Sequence, residues 1–172
     1  SRSSNLSKSI YIENYGCSAN RSDLEIMLGH LVNEGYRVVE TPKSASVLLI
    51  NTCGVKKPTE DRVLQRLRVL SRTGKPLLIA GCLPKINLPA VRKAAPRFAS
   101  IIDPYSVDRI LEAVKSAEEG KRGRLFLSDA PPLKVSQPKM RLNRIIELSR
   151  KYLCFVEAAP IVKRHKMLIR LR

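Results

Sequence analysis

Residues 47–53 of the chain read Val-Leu-Leu-Ile-Asn-Thr-Cys, a short apolar run that ends in two polar residues and a cysteine. Four consecutive aliphatic residues without polar alternation are typical of a strand that is buried on both faces, as in a parallel sheet. Two other stretches have the same form, Ser-Ile-Tyr-Ile-Glu-Asn-Tyr-Gly-Cys at 9–17 and Leu-Leu-Ile-Ala-Gly-Cys at 77–82. Each is predicted to be a strand that enters a turn, with a helix starting a few residues later.

The three cysteines at the ends of these stretches are Cys17, Cys53 and Cys82, which are separated by 36 and 29 residues. Such spacings correspond to about one strand–helix unit each. Because the carboxyl ends of parallel strands share one edge of a sheet, where ligands bind, the three thiols are expected to meet there. The sequence therefore predicts a site that is assembled by the fold and not by a local CxxC motif.

Apolar spacing along the rest of the chain predicts alternating strands and helices. Ser22 is predicted to open the first helix, with Glu25 completing a capping box and Gly35 ending the helix. The predicted strands are 10–14, 37–40, 47–51, 77–80, 100–103 and 124–127, and the further helices are 58–72, 89–95 and 107–118. This order predicts an α/β fold with a parallel sheet, a Rossmann-like α/β sandwich.

The composition divides the chain into four parts. Residues 1–8 are a polar extension, residues 9–128 form the α/β domain, and residues 129–138 form a linker marked by three prolines. Residues 139–172 contain ten Lys and Arg against two Glu. Within this basic C-terminal tail the apolar residues Ile145, Ile146 and Leu148 could begin a strand, but we expect the tail not to fold independently and to be disordered.

The charge of the chain indicates the kind of partner. The 172 residues carry 32 basic and 15 acidic side chains, for a net charge of +17. Such an excess favours polyanions, either nucleic acid or an acidic membrane surface. No apolar run approaches the roughly 18 residues that span a bilayer, and residues 1–8 do not resemble a secretory signal. We therefore expect a cytoplasmic protein with no membrane partner and with reduced cysteines.

The cysteines have three interpretations at this point. A set of three sulfur ligands suits an iron–sulfur cluster or a zinc site. Structural zinc usually takes four ligands that come as local pairs, and such pairs are absent from the sequence. The third interpretation is that the cysteines are ordinary small buried residues. Repetition of the same context three times, with an adjoining glycine each time, favours ligation, and the helix that follows each cysteine is expected to favour the thiolate.

The sequence offers no catalytic residue and no nucleotide-binding loop. It contains neither a GxxxxGKS motif nor a GxGxxG motif after a strand. His30 is interpreted as a surface residue of the first helix, and His165 lies in the basic tail. The predicted helix 58–72 carries four arginines on its outer face, which are either a solvated surface or a contact for nucleic acid. Of these, Arg62 and Arg66 are the predicted nucleic-acid-binding residues.

Three motifs identify a family resemblance. They are Tyr-Gly-Cys-Ser-Ala-Asn-Arg-Ser-Asp at 15–23, Leu-Ile-Asn-Thr-Cys-Gly-Val-Lys at 49–56 and Ile-Ala-Gly-Cys-Leu-Pro at 79–84. In this order they resemble the amino-terminal domain of the radical S-adenosylmethionine tRNA methylthiotransferases over about residues 9–120. The form at 51–62 is most similar to the archaeal and eukaryotic branch, which adds a methylthio group to N6-threonylcarbamoyladenosine at position 37 of tRNA.

The resemblance implies a cofactor, a ligand set and a partner. By it, Cys17, Cys53 and Cys82 hold a [4Fe-4S] cluster in an α/β sandwich, and an iron without a protein ligand presents sulfur for transfer. The partner that it implies is tRNA, which fits the positive charge. It also implies that the complete family enzyme binds S-adenosylmethionine and a second [4Fe-4S] cluster through a CxxxCxxC motif in a following radical domain.

The chain departs from the family pattern at that second motif. The motif is expected at 153, 157 and 160, where the sequence has Leu153, Glu157 and Pro160, and Cys154 is the fourth cysteine of the chain. The tail is therefore interpreted as the remnant of the start of a radical domain, and the chain alone is expected not to catalyse methylthiolation. A separate chain that carries the radical domain could complete the enzyme. The alternatives are a non-catalytic, basic RNA-binding module that retains only the fold, and a redox or metal-binding scaffold unrelated to tRNA.

Overall fold

The computed structural model of the chain describes residues 8–54 and 57–130, Pro138, and the backbone of three strands within the tail. Strands and helices alternate along the α/β domain. Its strands are β1 (Ser9–Asn14), β2 (Arg37–Val39), β3 (Val47–Thr52), β4 (Leu77–Gly81), β5 (Ser100–Ile102) and β6 (Arg124–Phe126). Its helices are α1 (Ser18–Asn33), α2 (Lys57–Ser71), α3 (Leu83–Ile86), α4 (Leu88–Ala94) and α5 (Ile110–Glu118).

These six strands form one sheet in the order β2-β1-β3-β4-β5-β6, and every neighbouring pair is parallel. The prediction of a parallel, Rossmann-like α/β fold is confirmed. From β1 the chain passes first to β2 on one side and then to β3 on the other side. The carboxyl ends of β1 and β3 therefore flank the topological switch point, where open α/β sheets bind their ligands.

Helices cover both faces of the sheet. One apolar core lies under α1 and α5, and it includes Leu24, Leu31 and Ile110. The other lies under α2, α3 and α4, and it includes Leu67, Leu83 and Val91. All six residues of β3 are buried because the strand is central and has helices on both sides. The aliphatic runs of β3 and β4 thus supply both cores at once.

The first helix begins four residues earlier than the sequence indicated. Its first residue is Ser18, and the extended residue Cys17 precedes it as the N-cap without a side-chain capping bond. The predicted capping box of Ser22 and Glu25 therefore lies inside the helix and is wrong as a start signal. Asn20 and Asp23 are buried, so contacts to the sheet, and not a local cap, hold the first turn.

The other boundaries agree to within about one or two residues, apart from three differences. The four-residue helix α3 was not predicted, and the predicted helix 107–118 begins as a 3₁₀ turn at Val107–Arg109 before α5. In the tail, β7 (Met140–Leu142), β8 (Tyr152–Ala158) and β9 (Met167–Leu171) form an antiparallel sheet that was not predicted either. Ile145, Ile146, Leu148 and most of the linker lie outside the described residues, and the domain boundaries and the disorder of the tail stay predictions.

Within the described ranges, every helix is too short or too polar to cross a bilayer.

A buried carboxylate ties β1 to α2 just before the first cysteine. Glu13 is 5% exposed and accepts hydrogen bonds from the hydroxyls of Tyr11 (2.9 Å) and Tyr15 (2.8 Å). Arg66 of α2 donates to both carboxylate oxygens, with its Nε at 3.0 Å from Oε2. Burial alone would raise the pKa of Glu13, but the hydrogen bonds from Arg66, Tyr15 and Tyr11 outweigh it and hold that pKa below its ordinary value.

We predict that Arg66→Ala lowers the free energy of unfolding by about 2 kcal/mol at pH 7, because a buried carboxylate loses its counter-charge. The two tyrosine hydroxyls and partial exposure of Arg66 keep the loss below that of a fully buried pair. Since the folded-state pKa of Glu13 is lowered, the pair stabilises the fold above the unfolded pKa and loses its effect as the pH falls through the folded pKa. Urea unfolding at pH 7 and below pH 4.5, the ordinary value, checks both statements.

The matched control is Lys121→Ala, which removes the partner of Glu119 in a pair whose side chains are 58% and 59% exposed. We expect this substitution to leave stability unchanged, since solvent screens exposed pairs. An equal loss of stability in both variants, or a loss in Arg66→Ala that does not shrink at low pH, would contradict the role of the buried carboxylate.

Candidate metal centre

The fold brings the three predicted cysteines to one edge of the sheet. Cys17 follows β1, Cys53 follows β3 and Cys82 follows β4, and these three strands are direct neighbours. The backbone N–H of Cys82 donates to the carbonyl of Thr52 at 3.2 Å, so the second and third cysteine segments are in contact. The expected meeting of these residues at the carboxyl ends of parallel strands is therefore seen in the backbone.

The three thiols differ in their access to solvent. Cys53 is buried, Cys82 is partly buried and Cys17 is exposed, and all three are free of disulfides. Cys17 and Cys53 lie close enough to Cys82 for their charges to act on its ionisation. The site is thus closed on the β3 side and open to water at the start of α1.

Side-chain amides connect the three cysteine segments. Nδ2 of Asn20, on the first turn of α1, donates to the carbonyl of Thr52 at 2.8 Å. The thiol of Cys82 lies 3.4 Å from Oδ1 of the same residue. Asn20 therefore contacts the residue before Cys53 and the side chain of Cys82 while it stands three residues after Cys17.

A second asparagine continues this connection to β1. Nδ2 of Asn51, at the end of β3, donates to Oδ1 of Asn14 at 3.0 Å and to the carbonyl of Asn20 at 2.8 Å. Oδ1 of Asn14 also accepts the backbone N–H of Gly16 at 3.0 Å. Oδ1 of Asn51 is buried and has no hydrogen-bond partner within the described part of the chain. A buried polar atom of this kind is costly unless a further group satisfies it, so the network ends in a free acceptor beside the site.

Glycines bring the backbone close together at this edge. Gly81 has φ +98°, and a Cβ there would lie 2.2 Å from the carbonyl oxygen of Thr52. A side chain at Gly16 would meet the Cβ of Asn20 at 2.3 Å, and one at Gly54 would meet Cδ1 of Ile86 at 2.8 Å. The glycine that adjoins each cysteine therefore lets these segments pack closely, where a larger residue would push them apart.

The ionisation of Cys82 differs from the sequence expectation. Helix starts were expected to favour thiolates, but burial raises the pKa of the Cys82 thiol, and the charges of Cys53, Cys17 and Asp23 act in the same direction. The helix that follows Cys82 has only four residues, which is too short to offset burial. A metal that binds here must displace a proton from a thiol.

The donor set fits a cluster better than a single ion. Across the described residues, no group of three or more His, Cys, Asp or Glu side chains is arranged to hold one metal ion. Thiolates that bind different irons of one cluster lie further apart than the ligands of a single ion. Three soft thiol donors at one edge of the sheet therefore fit an iron–sulfur cluster in their chemistry.

The two predicted nucleic-acid-binding arginines lie in different environments. Arg62 is exposed on α2, whereas Arg66 is partly buried and its charge is engaged by Glu13. Their role in binding stays a prediction. The sequence analysis did not identify Asn20, Asn51 or Glu13 as part of the site. The available signal was an asparagine or acidic residue near the carboxyl end of an otherwise apolar strand, as at Glu13, Asn14 and Asn51.

Comparison with curated proteins finds relatives that are much longer than this chain. This chain is 40% identical over 113 residues to the "Probable threonylcarbamoyladenosine tRNA methylthiotransferase" of Pyrococcus horikoshii. The match covers 66% of this chain and 26% of that protein. The protein of the same name from Methanothermobacter thermautotrophicus is 38% identical over 143 residues, covering 81% and 32%. The human "Threonylcarbamoyladenosine tRNA methylthiotransferase" is 32% identical over 148 residues, covering 81% and 24%.

A family model, described as "Uncharacterized protein family UPF0004", matches residues 9–103. This range contains β1 to β5, all three cysteines and the asparagines that connect them. The chain spans between about a quarter and a third of the length of the three relatives, so the likeness covers this domain and not their remaining parts. On the match over residues 9–103, the chain belongs to the UPF0004 family.

Proposed function

We propose that this chain binds a [4Fe-4S] cluster through Cys17, Cys53 and Cys82. The observation that carries the proposal is the position of these residues at the carboxyl ends of three neighbouring strands, at the switch point of the sheet. Three protein ligands leave one iron of a bound cluster with a free coordination position, which supplies a place for a sulfur donor. Cys17 is exposed and Cys53 is buried, so a sulfur donor would reach the site from the side of Cys17.

The residues around the cysteines have definable tasks in this proposal. Asn20 and Asn51 hold the three segments at fixed spacing before any cofactor enters, which limits the ordering that binding requires. Glu13 and Arg66 fix Tyr15, two residues before Cys17. Burial raises the pKa of the Cys82 thiol, and a ligand thiol must lose its proton, so loading is expected to improve as the pH rises.

The wider function that we propose is that of the cluster-binding domain of a tRNA methylthiotransferase. The names of the relatives support it, and they suggest threonylcarbamoyladenosine in tRNA as the nucleoside. The family resemblance adds that this is the N6 form at position 37. The 172 residues contain four cysteines and no CxxxCxxC motif. Cleavage of S-adenosylmethionine at a second [4Fe-4S] cluster would therefore need residues outside this sequence, such as a separate chain, and we expect these residues alone to be inactive. We propose that the domain acts in the cytoplasm.

A second candidate is a non-catalytic RNA-binding module that retains the fold without the cluster. The net charge of +17 favours it, because such a charge binds polyanions whether or not a cofactor is present. The two candidates differ in one measurable property, which is the iron and sulfide that the cysteines retain.

Cys53→Ala is predicted to abolish most cluster binding. After anaerobic reconstitution with iron and sulfide, we expect about four of each per wild-type chain and a large loss in the variant, because a buried ligand is removed. Chemical analysis of iron and acid-labile sulfide, together with the visible absorption of the cluster, provides the measurement.

The control for this experiment is Cys154→Ala, which removes the cysteine that lies outside the three motifs. It is expected to retain the iron content of the wild type. If the folded wild-type protein binds little iron, or if both variants lose it equally, the three-cysteine site is refuted and the RNA-binding module is favoured.

Asn20→Ala is predicted to reduce cluster loading to below about half of the wild-type value. The substitution removes the 2.8 Å bond to the Thr52 carbonyl, which then keeps only the N–H of Cys82, and it removes the contact with the Cys82 thiol. Loss of one such hydrogen bond costs about 1 kcal/mol. Loading is measured at a temperature at which circular dichroism shows the variant to be folded, so that a loss reports the spacing of the cysteines and not unfolding.

Asn33→Ala is the matched control, because Asn33 is an exposed residue at the other end of the same helix. It should load like the wild type. Full loading of folded Asn20→Ala would show that the amide connection does not position the ligands.

A further inference from the structure

The two helical layers of the domain differ in charge. Helices α2, α3 and α4 lie on one face of the sheet and contain seven basic and two acidic residues, for a net charge of +5. Helices α1 and α5 lie on the other face and contain two basic and four acidic residues, for a net charge of −2 with His30 neutral. The positive charge of the domain is therefore concentrated on one side.

The side of the sheet covered by α2, α3 and α4 carries a group of exposed basic side chains. We call it the α2–α4 basic face, and it consists of Arg62, Arg68 and Arg72 on and directly after α2, and Arg92, Lys93 and Arg97 on and directly after α4. The two helices pack beside each other. Among the described residues, none of these six side chains forms an ion pair.

The acidic residues of α2 do not neutralise this face. Asp61 lies 3.2 Å from Lys57, and the buried Glu60 accepts a hydrogen bond from Asn87 at 2.8 Å. Arg66 is directed to Glu13 and does not belong to the face. The six cations are therefore available to an external anion, which Arg66 is not.

Cations on the opposite side are arranged differently. Arg109 pairs with Glu112 at 2.9 Å, Lys115 with Glu34 at 3.2 Å, and Lys121 with Glu119 at 2.7 Å. These three basic residues are balanced by neighbouring carboxylates. The contrast indicates that the charge of the α2–α4 basic face does not simply follow from the basic composition of the chain.

The direction of α2 relates this face to the cysteines. The helix begins four residues after Cys53, at the carboxyl edge of the sheet, and runs to the opposite edge, where β4 starts. At about 1.5 Å of rise per residue, Arg62 and Arg72 are about 15 Å apart along its axis. A phosphate backbone that follows the arginines of α2 is thereby led to the edge that carries the three thiols.

We propose that the α2–α4 basic face binds the phosphate backbone of an RNA substrate and directs it to the cysteine edge. The choice of tRNA as the probe rests on the proposed function. Five of the six cations are arginines, whose guanidinium groups match phosphate geometry. An acidic membrane is the weaker fit, because most apolar side chains of α2, such as Val63 and Leu67, are buried in the core, and Val69 is the one that is exposed.

The test compares two triple variants of the full chain with the same change in charge. Arg62→Gln/Arg68→Gln/Arg72→Gln neutralises the α2 part of the face, and Arg109→Gln/Lys115→Gln/Lys121→Gln neutralises three paired cations on the other side. Each has a net charge three units lower than the +17 of the wild type. Binding of a labelled tRNA transcript is titrated at several salt concentrations, and iron content and thermal unfolding are measured on the same preparations.

The α2 variant should lose about tenfold or more in tRNA affinity. The slope of log affinity against log salt concentration should become shallower by the equivalent of about two phosphate contacts, since each contact contributes about 0.7–0.9 to that slope. The control should stay within about twofold of the wild type. Equal losses would mean that only net charge matters, and an unchanged α2 variant would place binding elsewhere, for example in the tail. Either result overturns the proposal.

Two further readouts keep this inference separate from the cluster. If the α2 variant loses tRNA binding but keeps the iron content of the wild type, the loss is due to the α2–α4 basic face and not to the cluster. If the wild-type protein itself binds no iron, the proposed cluster is refuted, but the comparison of tRNA binding is still valid. Vesicles with an anionic phospholipid serve as the membrane arm. Loss of vesicle binding without loss of tRNA binding in the α2 variant would overturn the RNA assignment.

Discussion

Parallel pairing of β3 with β1 on one side and with β4 on the other is the constraint on which the site depends. The register places Asn14 opposite Asn51, and Thr52 opposite Gly81, so the three strands end at nearly the same level. Each cysteine comes one to three residues after its strand. A shift of one strand by two residues would keep its buried face but would move its cysteine by about 7 Å. The positions of the thiols are thus fixed by the same hydrogen bonds that hold the sheet together.

Polar side chains fix the positions of the loops at the carboxyl edge, which apolar packing alone does not determine. The aliphatic residues of β3 and β4 hold the helices on both faces, but their contacts are not directional. At the carboxyl edge, directional hydrogen bonds that Asn20 and Asn51 donate and that Glu13 accepts fix the loops that follow the strands. Buried polar networks of this kind stabilise a fold only when nearly every member is satisfied. The unpaired oxygen of Asn51 is the exception, and it lies at the site where we propose a cofactor.

Much of the fold followed from local sequence, while the connections within the site did not. The apolar runs at 47–50 and 77–80 predicted buried parallel strands, and the turns after them placed the cysteines at one edge. By contrast, the start of α1 was misjudged because Ser22 and Glu25 match a capping box, whereas the deciding contact joins Asn20 to Thr52, 32 residues away. Similarly, Arg66 has the appearance of a surface arginine until its partner Glu13, 53 residues away, is known. Contacts across such distances depend on which faces meet, and periodicity alone does not contain that information.

The unequal charge of the two helical layers has a kinetic consequence. A domain with a positive layer and a slightly negative layer carries a permanent dipole moment across the sheet, in addition to its net charge. In the field of a polyanion such a body experiences a torque that turns its positive side forward before contact. Encounters then start from a restricted set of orientations, which raises the association rate at low ionic strength. Added salt lowers this rate, because at about 0.1 M it screens the field beyond a Debye length of about 10 Å. The arrangement of helices on the sheet thereby governs how the molecule approaches its partner as well as how it folds.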